Sequence, residues 1–153
     1  MQEAASTAPR PHTNAHFLVD LGVGDPHGPE RGFGEVVFPE FRIDEPAGAQ
    51  PAGSPHVATP RANDSTGRRL ILRRGVTGSL DLYTWWDKAR RGKAPQRRTV
   101  KVQLMTADLS GIVLTWYFRR ARPVCLSYAP LNALQGTVLI ESIELEFETM
   151  EMR

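Results

Sequence analysis

Cysteine is nearly missing: Cys125 is the single one in 153 residues. One thiol makes neither an internal disulfide nor a cysteine-based zinc site. Its place in an apolar run reads as an inert, packed side chain in a reducing, cytoplasmic setting. Long hydrophobic runs are also lacking. Nothing approaches the roughly 20 apolar residues of a spanning helix, and mean hydropathy is -0.34, so no membrane segment is expected. The opening MQEAASTAPRPHTNA lacks a basic region followed by an apolar one, which argues against a secretory signal. The four histidines, His12, His16, His27 and His56, stand mostly in loops without the spacing of a metal site. Gly22, Gly24 and Gly28 do not make a dinucleotide fingerprint, and no phosphate-cradling GxxxxGK[ST] occurs. Asn63, Asp64 and Ser65 match a glycosylation sequon, which without a signal segment is read as chance.

Charge is present and segregated. The net charge is +2, but Arg68, Arg69, Arg73, Arg74, Lys88, Arg90, Arg91, Lys93, Arg97, Arg98 and Lys101 crowd the middle. Glu141, Glu144, Glu146, Glu148 and Glu151 fill the end. A chain of this kind can attract its own copies head to tail, or hold a polyanion through its basic middle.

Hydrophobic spacing of period two dominates. Strands are expected at Phe17 to Leu21, at Glu35 to Ile43 with Pro39 marking an edge or a bend, and at Leu70 to Arg73. Further strands are expected over Val100 to Leu104, Ile112 to Phe118 (apolar on both faces) and Val124 to Tyr128. One long final strand is expected from Val138 to Phe147, with a turn at Ala107 to Gly111 before the fifth strand. A single helix is expected from Ser79 to Arg91. Leu82, Trp85, Trp86 and Ala89 form its apolar stripe, Ser79 its cap and Gly92 its stop. Residues 1–14 read as a flexible tail. Residues 44–67, rich in Pro, Ala and Gly, are too long for an ordinary loop and read as an extended arm or binding loop. The fold class is therefore mainly β: one domain over 15–153, an antiparallel barrel or sandwich with one packed helix.

Glu144, Glu146 and Glu148 share a strand face, as a solvated row does; a catalytic carboxylate pair needs a cleft and contrasting environments. Trp85 and Trp86 lie beside arginines, a pattern compatible with nucleic-acid stacking, but their helical spacing makes them core. No enzyme and no cofactor are expected. The alternative function is a basic nucleic-acid-binding module using Arg90, Arg91, Arg97 and Arg98.

Segments in order carry a resemblance. They are FLVDLGVGDPHGPERGFGEV (17–36), LRRGVTGSLDLYTWW (72–86), RRTVKVQLM (97–105), VLTWYFRRARPV (113–124), APLNA (129–133) and LIESIELEFETM (139–150). Their order and spacing resemble the tail tube protein family of contractile phages and phage-tail-like injection systems. The resemblance implies a barrel-like fold related to the type VI secretion tube protein, and homohexameric rings stacked into a tube inside a sheath. It implies assembly in the bacterial cytoplasm, with sheath, spike or baseplate proteins as further partners and nucleic acid only as cargo in the lumen. Candidate ring or inter-ring contacts are Arg73, Arg74, Arg97, Arg98, Glu144, Glu146 and Glu148. The resemblance also gives 44–67 the role of an arm reaching a neighbour. One departure stands out: Val37, Phe38 and Pro39 follow Glu35 and Val36 where many tube proteins have Ser-Gly-Leu. It leaves two places for the subunit, the main tube or a tube-initiating ring.

Overall fold

The computed structural model describes residues 10–23, 32–43, 68–92 and 97–153. The expected arm at 44–67 lies outside them, as does the expected tail as far as residue 9.

The described chain forms seven strands and one helix. They are β1 (Phe17–Asp20), β2 (Glu35–Val37), β3 (Arg69–Gly75), α1 (Asp81–Arg90), β4 (Arg98–Met105), β5 (Ile112–Tyr128), β6 (Ile140–Glu146) and β7 (Thr149–Met152). Every pairing is antiparallel. A first sheet runs β1-β4-β5-β7 and a second runs β5-β6-β3-β2, so β5 belongs to both. The mainly β, antiparallel reading with one packed helix is what the structure has.

Alternation builds the core. In β3, Leu70 and Leu72 point inward between partly exposed neighbours, and in β6 Ile143 and Leu145 do the same. Val100 and Val102 of β4 and Phe118 of β5 join them. Burying each such side chain contributes about 1.5–3 kcal/mol. α1 packs on β5 through Leu82 and Trp85, both fully buried. Trp86 and Ala89 are only half-buried, so the apolar stripe is narrower than its spacing suggests. Trp86 instead lies on the outer flank, against Tyr83 and beneath the Arg90 guanidinium.

The strands differ from the sequence reading in three main places. The strand expected to end at Phe118 continues to Tyr128 as one 17-residue strand. Arg120, at φ 55°, makes a bulge that keeps the ladder running while the chain bends. A second irregularity at Pro123 comes beyond the last β4 partner, where one side of β5 is an edge that accepts proline. The expected final strand, Val138 to Phe147, is β6 over Ile140–Glu146, and a further strand absent from the sequence reading follows it: the chain crosses at Phe147 and Glu148, whose amide donates to the Arg119 carbonyl (3.0 Å), and β7 joins the other sheet. The strand expected over Glu35 to Ile43 stops at Val37. Pro39 follows, and Phe38 and Phe41 fold over Trp116 and Phe118 instead.

The helix starts two residues later than expected. Leu80 is its cap and makes no side-chain bond. The Asp81 carboxylate accepts from the Leu82 amide (2.8 Å) and from the Ser79 hydroxyl (3.0 Å), so it serves the helix start beside Ser79, whose hydroxyl oxygen accepts from the Asp81 amide (3.4 Å). Gly92 does end the helix, at φ 65°, its amide donating to the Ala89 carbonyl.

Candidate assembly surfaces

The segregated charges of the sequence meet inside one chain. Antiparallel pairing of β3 and β5 with β6 sets arginines opposite glutamates. Arg69 reaches Glu144 (3.0 Å) and Arg122 reaches Glu146 (2.9 Å). Glu148 holds both Arg97 (3.3 Å) and Arg120 (2.7 Å), and Arg73 pairs with Glu35 (2.8 Å). The acidic row is thus an outward face laced to the chain's own arginines. These pairs are partly exposed, where each contributes about 0–1 kcal/mol.

Arg74 departs from the expected contact role. It is the last inward residue of β3 and only 1% exposed. Its Nε donates to Glu141 (2.6 Å), its register partner on β6, and its guanidinium also binds Asp81 at the helix start. Burial alone would lower its pKa, but Asp81 and Glu141 outweigh that and raise it. Asp81 mirrors this: burial pushes its carboxyl up, yet the bonds from Arg74, Ser79 and the Leu82 amide leave it lowered. Here charge clamps the helix to the second sheet and is closed to a neighbour. Arg98 likewise lies over Trp85, 4.3 Å from the ring centre.

The nucleic-acid reading loses its geometry. Arg90 and Arg91 both bind Asp87 at the helix end, and Arg97 binds Glu148. An open basic cleft of about 450 Å³ remains, lined by Arg97, Arg98 and Lys101, but Asp20 shares it. Cys125 is half-buried on β5 rather than in the core. Among the described residues no group of His, Cys, Asp and Glu is placed to hold a metal ion, and no helix is long and apolar enough to cross a membrane.

What stays open is backbone. Among the described residues β1 pairs only with β4, and β7 only with β5, so both borders of the first sheet are free edges. They run in opposite directions, because three antiparallel steps separate them. Beside β1 an open, mainly apolar cleft of about 400 Å³ lies between the two sheets, lined by Phe17, Val36, Phe38, Val102, Leu104 and Trp116 among others.

Two free antiparallel edges on a small sandwich, with its charges paired internally, define a structural β domain suited to extension by neighbours. The family model described as T4-like virus tail tube protein gp19 matches residues 13–151, and the chain belongs to that family. It is thus a structural tail tube protein. Solved structures share the fold across nearly the whole chain. A protein of the anti-feeding prophage tube-terminating cap aligns at TM-score 0.68 and 15% identity, over 99% of both chains. One from the sheath–tube complex of the extracellular contractile injection system PVC aligns at TM-score 0.66 and 18% identity, over 94% of this chain and 91% of that one. One from the anti-feeding prophage baseplate aligns at TM-score 0.63 and 22% identity, over 95% and 97%. Comparison with curated protein sequences gives no match, and the comparisons lend the nucleic-acid module no support.

Proposed function

We propose that the chain acts by mechanical assembly, as the subunit of homohexameric rings that stack into the inner tube of a contractile tail or injection particle. The observation that carries this reading is the pair of free edges on the first sheet. β7 of one copy, set beside β1 of the next, continues the antiparallel alternation without a break and closes the ring by adding strand to strand. The two edge strands match in length, at four residues each. A closed ring leaves neither border of the first sheet exposed, which reduces the aggregation hazard an open sheet carries.

On this reading the chain has no catalytic role. Sheath, spike or baseplate proteins are its other partners, and assembly takes place in the bacterial cytoplasm. Arg73, Arg97, Glu144, Glu146 and Glu148 can exchange internal for intersubunit partners, being partly exposed. The arm at 44–67 reaches a neighbouring subunit. The place of the subunit is the main tube or the tube-initiating ring.

Negative-stain electron microscopy and sedimentation velocity of the purified protein test this. The expected result is ring-sized particles or filaments with a central hole. A strict monomer at high concentration contradicts it.

A further inference from the structure

Resting on that reading, exposed apolar residues offer a surface for ring-on-ring contact. Two groups of them stand at opposite ends of β5, apart from others such as Ile43 and Leu80. At one end the loop 129–139, between β5 and β6, holds no charged residue at all. Leu131 is 87% exposed, Leu134 98% and Val138 73%. The loop is nonetheless anchored. The Ala129 amide donates to the Ile140 carbonyl (2.9 Å), the Leu134 amide to Asn132 Oδ1 (3.0 Å), and the Val76 amide from the next strand end to the Leu139 carbonyl (2.9 Å). Val138 also sits over Gly75, where an added Cβ would come within 3.2 Å of it. A fixed backbone that holds leucines out in water is built to be covered.

At the other end of β5 is the β4–β5 turn, residues 106–111. Its tip residue, Leu109, is 59% exposed and has φ 60°, a left-handed conformation that leucine rarely adopts. A polar clasp imposes it. Asp108 Oδ1 accepts from the Thr106 hydroxyl (2.6 Å), the Ser110 hydroxyl (2.7 Å) and the Ser110 amide (3.0 Å), and the Thr106 carbonyl accepts from the Leu109 amide (2.9 Å). Ile112, half-exposed, adjoins the turn. The clasp turns an apolar side chain outward and holds it there.

We propose that these two ends meet head to tail: the 129–139 loop of one copy seats on the Leu109 tip of a second copy in the adjacent ring. A contact between two different patches at opposite ends of one strand is heterologous, and it runs on along an axis where its rotation does not close a ring. The second copy is favoured as occupant because the 129–139 loop is uncharged, the one charge of the tip, Asp108, is already bonded within its own turn, both patches are rigidly presented, and the chain belongs to a tail tube family.

Cysteine cross-linking tests the contact. In a Cys125→Ser background, Leu109→Cys and Leu134→Cys are made singly and together, and assembled protein is oxidised and run on a non-reducing gel. The double variant is expected to give a ladder at multiples of 17.0 kDa, and each single variant to stay monomeric. Dimers from a single variant would mean that an end meets its own kind, and would overturn the head-to-tail contact. A double variant without a ladder, under conditions where the wild type forms tubes, would overturn the contact and leave the tube reading standing. A wild type that forms no rings would remove both. A second variant, Leu134→Asp, lies in an exposed loop and is expected to fold with unchanged circular dichroism and to give rings that do not stack. Tubes of normal length from Leu134→Asp would also overturn the contact.

Discussion

Arg74 shows how one side chain can change meaning between sequence and fold. Among many arginines it reads as surface charge, yet the inward phase of β3 puts it in the core with Glu141 and Asp81. Removing it leaves one fully buried and one part-buried carboxylate without their cation. Arg74→Met is expected to cost ~3–5 kcal/mol, read as a shift of the urea midpoint, whereas Arg74→Met with Glu141→Leu should recover part of the loss. Asp81 adds a pH dependence. Its folded pKa lies below the ordinary 3.8, so its contribution is complete above that value and is lost as pH falls through the depressed one. Asp81→Asn should therefore flatten the acid limb of the stability profile below pH 3.8 and lower stability at neutral pH. An unchanged acid limb would show that the clamp does not couple the helix to the sheet.

Elements were legible where a period repeats and hidden where the chain changes frame. The alternation of Leu70, Leu72, Ile143 and Leu145 named its own inward face, and Gly92 marked the helix end. The passage Arg119 to Pro123 looked like a break because its polar residues interrupt the apolar period. A bulge at Arg120 instead carries one strand from the first sheet to the second. Near the C-terminus the apolar alternation of Ile143, Leu145 and Phe147 shifts phase at Met150 and Met152, and the chain changes sheets at Phe147 and Glu148 into a β7 that the sequence reading lacks. Pairing partners decide such crossings, and local pattern does not contain them. The bulge gives its own prediction. Arg120 is a non-glycine residue at φ 55°, a conformation costing roughly 1–2 kcal/mol. Arg120→Gly should be neutral or stabilising within ~1 kcal/mol, and Arg120→Val destabilising by more than ~1 kcal/mol, because a β-branched residue resists that conformation. Thermal melts of the two variants should move apart; equal melting temperatures would remove the bulge as the cause of the bend.

For the whole molecule, the sequence made the fold class and the family readable through segments in order, but not the assembly surfaces. The expected contact charges, basic in the middle and acidic at the end, fold against each other. On the proposed assembly, edges and apolar ends make contacts beside them. Neither could be seen before pairing was known: β1 and β7 are edges only because β4 and β5 lie between them, and Leu109 and Leu134 face water only because turns hold them there. The central claim is that the first sheet is completed by neighbours. A cryo-electron microscopy reconstruction of the assembled protein tests it most directly. The account predicts β7 of each subunit antiparallel to β1 of the next, at the ~4.8 Å spacing of paired strands. A closed ring in which those two edges face solvent, or pair with other segments, would contradict it.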